Sequence, residues 1–561
     1  MNVKKFILIL GAAVVFVSAN ANVPVKVAPV VAKHGIVVAG HPEAAEAGLT
    51  VLKSGGSAVD AAIATSLALG VAEPYGSGLG GKLMLLYYDA DSGKISTVDG
   101  VDAAGSLDPD SATRPDADHS YGYSAACVPG LVAGLWLAHE KWGAKPWADD
   151  VKPAIALARG GFLVLPKTTD FFEEQEKKLR RGDAEIAKLY LPGGKLPAPG
   201  TRLANEDLAR SLEILAAHGR DGFYRGEIAD KIVAASSAGR GVLTREDFAR
   251  YEAKLVEPLA IDFRGWRVAS APPAWGAPLF LTIMKAMEAD DFGGRPLRSV
   301  ETLDRIGRVW RVVFPLVQRE VVDAPDVAAG FSRLVAPASI QAIREQSRVA
   351  APVKKAAALS VPALAGELAA TTHFIVVDSR GNIVCATQSL SVHFGAGVVP
   401  PGTGIVLNNS MGTFAYNDPA SVNFPVPGRR PRTAISPTLV LRNGKPAFAL
   451  GVPGAFRIPT AMLQVLLDRL ALDRPLAEAI GDMRFHFDSP WRKGETEAFE
   501  AEQSFPAADA EAMRARGWRV VLPEMAGRGR AFGGVNAVEF NADGTLTGLA
   551  DPRRTNAAAG W

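Results

Sequence analysis

The chain has 561 residues, 61 lysines and arginines against 59 aspartates and glutamates, and a formal net charge of +2. It is long enough to bury a large core or several layers. The balanced charge gives no electrostatic reason to expect nucleic acid or an acidic membrane surface as partner, so small molecules are the expected ligands.

Lys4 and Lys5, an apolar run over residues 6–17 and Ser18-Ala19-Asn20-Ala21 have the layout of a secretory signal peptide cut after Ala21. The run is too short to span a bilayer comfortably, so export to the periplasm or the exterior without stable membrane insertion is expected. Residues 36–39 read as a strand and residues 42–53 as a helix ended by Gly55-Gly56. Ser57 caps a second helix over residues 58–69, whose small side chains suit a buried position. Gly76-Ser77-Gly78-Leu79-Gly80-Gly81 matches the dinucleotide pattern G-x-G-x-x-G, but a helix precedes it and the apolar strand 83–88 follows. That order is wrong for a dinucleotide site, and the glycines instead allow a tight turn and close backbone approach at the base of a pocket. From about 128 to 331 the pattern is largely helical, with segments 131–141, 151–159, 205–217 and 228–235 and a strand over 259–268. Residues 340–370 are alanine-rich without a period and read as a mobile tail. Strands follow at 374–378, 383–388, 405–407, 438–441 and 447–450, then helices at 459–470 and 476–482. A closing strand pair, 536–540 and 546–550, turns at Asn541-Ala542-Asp543-Gly544. Helices layered around hairpin-connected strands indicate an α+β sandwich.

Cys127 and Cys385 are too few for a disulfide framework and read as buried thiols. The eight histidines show no ligand spacing, so neither metal nor cofactor is expected. The chemically suggestive stretch is Thr371-Thr372-His373, ahead of the apolar run 374–377. Two threonines there also suit an ordinary strand start. A threonine hydroxyl is a weak nucleophile near neutral pH, but an N-terminal threonine carries its own base, an α-amine titrating at about pH 8. An internal threonine gains that amine only if the chain cuts itself between Ala370 and Thr371.

Several motifs stand in one order: Gly55-Gly56-Ser57-Ala58-Val59-Asp60-Ala61-Ala62, the Gly76 to Gly81 loop, Val128-Pro129-Gly130 and Leu157-Ala158-Arg159-Gly160-Gly161-Phe162 come first. Thr371-Thr372-His373, Leu407-Asn408-Asn409, Ser436-Pro437-Thr438, Gly451-Val452-Pro453-Gly454 and Asp551-Pro552-Arg553 follow. From about residue 32 onward the chain resembles the γ-glutamyltranspeptidases, members of the N-terminal-nucleophile hydrolases. The resemblance implies a four-layer αββα sandwich and a precursor that cleaves itself into a large subunit, residues 22–370, and a small one, residues 371–561, sharing one core. It implies Thr371 as nucleophile and, through its amine, as base. Ser389 stands at the family's supporting hydroxyl, with Thr387 on the same strand face as a substitute. The backbone amides of Gly454 and Ala455 fall at the oxyanion turn.

The chain departs from the family where the glutamyl head is gripped. The carboxylate-binding arginine falls at Val101 and the serine pair at Thr433-Ala434, while Ser391, Ser410 and Thr413 replace the amine-side anchors. Losing charged anchors predicts a neutral, roomier pocket that holds a zwitterionic head weakly. Arg429, Arg430 and Arg432 form either a solvated face or a subunit contact, or a carboxylate clamp in which Arg432 binds substrate. The expected activity is transfer of a γ-glutamyl or related acyl group from an amide to water or an amine. The alternative is an acylase of the same family with a non-glutamyl substrate, for instance a glutaryl amide. An uncleaved exported binding protein is a third reading, opposed by the retained threonines, the hydroxyl at Ser389 and the turn donors.

Overall fold

The structure is a computed structural model describing residues 24–106, 118–272, 275–321, 327–349, 369–416, 418–488, 497–522 and 532–561. The leader and its cut after Ala21 lie outside the described residues, as do residues 350–368.

Residues 374–377 of strand Ala369–Val377 are apolar on both faces and fully buried, the signature of a strand covered on both sides. It lies third in a seven-stranded antiparallel sheet ordered Ala557–Gly560, Ile36–Ala39, Ala369–Val377, Ile383–Val392, Lys82–Tyr88, Ile95–Gly100 and Lys254–Val256. On one face Phe374, Val376, Val384, Ala386, Leu83 and Leu85 join helices Pro42–Lys53 and Ala58–Ala72 in one buried cluster. On the other, Ile375, Val377, Cys385 and Leu86 meet Leu439, Leu441, Ala449 and Val538 of a second sheet. That sheet is also seven-stranded, ordered Pro29–Ala32, Leu546–Ala550, Asn536–Phe540, Lys445–Gly451, Thr438–Arg442, Trp266–Ser270 and Leu259–Phe263. Its far face, with Val440, Phe448 and Leu450, shares a cluster with helices Gly276–Met287 and Ile458–Leu470. Each such side chain contributes about 1.5–3 kcal/mol relative to exposure, so the alternation fixes which face of each strand points where. The fold is thus mixed α and β.

Helix Ala58–Ala72 starts as expected. Ser57 Oγ accepts from Asp60 N at 3.2 Å and the Asp60 carboxylate accepts from Ser57 N at 2.8 Å, a reciprocal cap. Three expectations need correction. The strand over 259–268 is a hairpin, Leu259–Phe263 with Trp266–Ser270, turned by Arg264 and Gly265 at φ 50° and 80°. Residues 405–407 make an isolated bridge from Leu407 to Gly80 and no strand. Residues 340–349 belong to helix Pro337–Val349, where Ile340 and Ile343 are buried and Arg305 donates to Ser347 Oγ at 2.7 Å. The strand carrying the threonines already begins at Ala369, so the expected mobile tail can cover at most the part outside the described residues. Both cysteines are free and buried, as expected, and burial pushes each thiol pKa up. Among the described residues no helix is long and apolar enough to cross a membrane.

Candidate active site

Strands Ala369–Val377 and Ile383–Val392 pair with Ala370 opposite Ser391 and Thr372 opposite Gln388. Thr371 therefore faces two residues, Ser389 and Leu390, and the extra residue makes a β-bulge. The bulge drives Ser391 to φ 80°, a left-handed conformation that costs a non-glycine residue roughly 1–3 kcal/mol. Part of that cost is offset locally, because Ser391 N donates to Ser389 Oγ at 2.9 Å.

Thr371 Oγ1 stands 3.0 Å from Ser389 Oγ and 2.5 Å from the Ala370 carbonyl oxygen, to which Ser389 Oγ also donates. The two hydroxyls and the carbonyl of the bond preceding Thr371 thus form one set. Arg554 Nη1 fixes the other side of the residue, donating to the Thr371 carbonyl at 3.1 Å. Thr387 does not serve as the substitute support. Its hydroxyl lies 2.8 Å from His373 Nδ1, two residues further along the strand. Burial pushes His373 down to about 3, so its ring is neutral.

A pocket opens beside this set, bordered by Thr371, Ser389, Ser391, Thr413, Arg432 and Thr433, with Ala455 and Phe456 facing them. Ala455 takes φ 51° at the start of a short 3-10 turn, and Gly454 precedes it. Ser410 is fully buried behind the lining. Its hydroxyl lies 2.7 Å from Ser391 Oγ and donates to Asp102 Oδ2 at 2.5 Å, while Thr413 Oγ1 donates to the Ser410 carbonyl at 2.7 Å.

The expectation of a neutral pocket is overturned. Lys82 borders it, donating from Nζ to Ser410 Oγ at 2.8 Å and to Asp102 Oδ1 at 3.3 Å. Burial raises the Asp102 pKa, with Lys82 and Ser410 pulling against the rise. Sequence reasoning missed Lys82. Its one signal is a lone cation opening the apolar strand Lys82–Tyr88 directly after the glycine loop. The arginine cluster separates three ways. Arg429 Nη1 donates to the Phe424 carbonyl at 2.6 Å, Arg430 pairs with Asp99, and Arg432 borders the pocket while donating to Gln318 Oε1 and the Gln318 carbonyl. Burial lowers Arg432 to about 10. The solvated-face reading therefore fails for Arg430 and Arg432. Val101 lies in the helix-side core, its carbonyl accepting from Tyr251 at 2.6 Å.

The glycine loop makes the close backbone approach expected of it. A Cβ on Gly81 would lie 2.4 Å from the Ser389 carbonyl, and one on Gly80 2.1 Å from that of Val406. Asn408 ties the loop down, donating to the Gly80 carbonyl at 2.8 Å. Away from the pocket, Asp60, His139 and Asp150 place possible ligand atoms within 4.8 Å of one another. Asp60 is already engaged there, accepting from Ser57 N, Ala144 N and Lys145 N.

The gamma-glutamyltranspeptidase family profile matches residues 44–561. The acylase ACY 1 proenzyme of Pseudomonas sp. (strain SE83) is 33% identical over 95% of this chain and 96% of its own length. The glutathione hydrolase proenzyme of Escherichia coli (strain K12) is 31% identical over 94% of this chain and 91% of its own. Among solved structures, cephalosporin acylase from Bacillus halodurans superposes with a TM-score of 0.84 at 27% identity, covering 98% of this chain and 99% of that one. These relatives divide between acylase and glutathione hydrolase names, and the curated ones are named as proenzymes. The chain belongs to the gamma-glutamyltranspeptidase family of N-terminal-nucleophile hydrolases.

Proposed function

We propose that the chain is an exported proenzyme that cuts itself between Ala370 and Thr371 and then hydrolyses amides through Thr371. The observation that carries this reading is the close set of Thr371 Oγ1, Ser389 Oγ and the Ala370 carbonyl at the edge of a pocket. In the cut, Thr371 Oγ1 adds to the Ala370 carbonyl carbon, the C–N bond breaks, and the hydroxyl proton passes to the departing nitrogen. Water then cleaves the ester, leaving a carboxylate on Ala370 and a free amine on Thr371.

In turnover, that amine takes the proton from Oγ1 as it attacks the substrate carbonyl, and returns it to the leaving amine. Ser389 orients the nucleophile. The backbone N–H groups of Gly454 and Ala455 hold the oxyanion, each such donor lowering the barrier by about 2.7–4 kcal/mol. Water, or less efficiently an amine, releases the acyl group. The two sheets and their helical covers form the four-layer αββα frame, shared by subunits 22–370 and 371–561.

We read the acyl group as one without an amino-acid head. The hydroxyls of Ser391, Ser410 and Thr413 offer no carboxylate to an α-ammonium, and the 33% identical relative is named an acylase. On a denaturing gel the purified protein is expected as two pieces, the smaller starting Thr371-Thr372-His373 by N-terminal sequencing. Thr371→Ala is expected to remain in one piece and to show no amidase activity. A native protein that stays full-length, or activity that survives in Thr371→Ala, sinks the proposal.

A further inference from the structure

Lys82 stands directly opposite Ser389 in the strand pairing, and Thr371 faces Ser389 from the other side. The three side chains form a row across adjacent strands, with Lys82 and Thr371 about 10 Å apart at Cα, two strand spacings. An ammonium with 1% exposure is expensive to bury, and its partners are few. Asp102 and Ser410 take two of its three N–H groups, and no other acceptor among the described residues takes the third. That donor belongs to a side chain bordering the pocket.

The charge count has a definite sign. Lys82 and Arg432 border the pocket, and no carboxylate does so among the described residues. Asp102 lies behind Ser410, already accepting from both Lys82 and Ser410. Among the described residues Arg432 has no carboxylate partner. Its guanidinium meets the oxygens of Gln318 and Val321, and burial lowers its pKa. Two lining cations against one carboxylate leave a net positive site. An anionic group is drawn in and an ammonium is turned away.

We propose that Lys82, with Arg432 as the second cation, selects an acyl group that ends in a carboxylate and lacks an α-ammonium. This rests on the reading of Thr371 as the acylated residue. The acyl carbonyl sits at Thr371, its chain runs past Ser389, and the far carboxylate accepts the third N–H of Lys82.

The test compares kcat/KM for a glutaryl anilide with that for the uncharged pentanoyl anilide. The native enzyme is expected to prefer the glutaryl compound by about 10- to 100-fold, the range of one charge-assisted hydrogen bond. Lys82→Met is expected to collapse that ratio through KM for the glutaryl compound. Because this change strands Asp102, a Lys82→Met/Asp102→Asn pair removes both charges and reads the same ratio. A third measurement needs no variant. Free glutarate is expected to inhibit the native enzyme at a concentration at least about tenfold below that for L-glutamate. An unchanged ratio in the variants, or L-glutamate inhibiting as well as glutarate, overturns the proposal. Native protein that cleaves neither anilide counts against the Thr371 reading. Cleavage of both without preference counts against Lys82.

Discussion

Ser389 supplies the supporting hydroxyl without a β-methyl that would restrict its rotamer. Its oxygen nevertheless reaches Thr371 Oγ1, the Ala370 carbonyl and Ser391 N together. Ser389→Ala is expected to slow both the self-cut and turnover by about 10- to 100-fold, the loss of one to two well-placed hydrogen bonds. Gel densitometry against time and steady-state rates check the two effects separately. His373 makes a second prediction at this scale. Its pKa is held at about 3 in the fold, below the unfolded value of about 6.5, so the unfolded chain takes up the proton first. Its contribution to stability is complete above about pH 6.5 and is lost toward pH 3 at about 1.4 kcal/mol per pH unit. Urea unfolding of native protein and His373→Gln at pH 7.5 and pH 5 is expected to show the steeper loss in the native chain.

At the scale of elements, the bulge and the glycine loop act together. Gly81 lets the start of strand Lys82–Tyr88 lie against the Ser389 carbonyl, which holds the bulge beside Thr371. Gly81→Ala is expected to push Ser389 away and to leave most of the protein uncut. Gly160→Ala, whose added methyl meets nothing within 4 Å, is expected to process normally. A denaturing gel reads both. The elements also show what was legible in the sequence. Helices Pro42–Lys53 and Ala58–Ala72 were readable because a cap and an apolar pattern are local. Helix Pro337–Val349 was not, because alanine-rich flanks blurred the Ile340 and Ile343 pair that it buries. Thr371 as a candidate nucleophile was readable through collinear motifs. Lys82 was hidden because its meaning depends on Asp102, 20 positions away, and Ser410, 328 positions away. The bulge was equally hidden, since a register slip exists only between paired strands.

At the scale of the whole molecule, both sheets draw strands from either side of the 370/371 bond. Strand Ala369–Val377 sits between Ile36–Ala39 and Ile383–Val392, so a cut there leaves the two pieces interleaved in one core. They are expected to elute together in size-exclusion chromatography and to separate only in denaturant.

The hold of Arg554 on the Thr371 carbonyl has a consequence for the order of events in synthesis. Thr555 bonds the Gly40 carbonyl and Ala557–Gly560 pairs with Ile36–Ala39, so the segment that grips Thr371 is also the far edge of its sheet. A ribosome makes that segment 183 residues after Thr371. Under the proposed cut before Thr371, that bond is expected to stay intact until translation has passed Arg554. A chain stopped before Arg554 should never ripen, however long it is left.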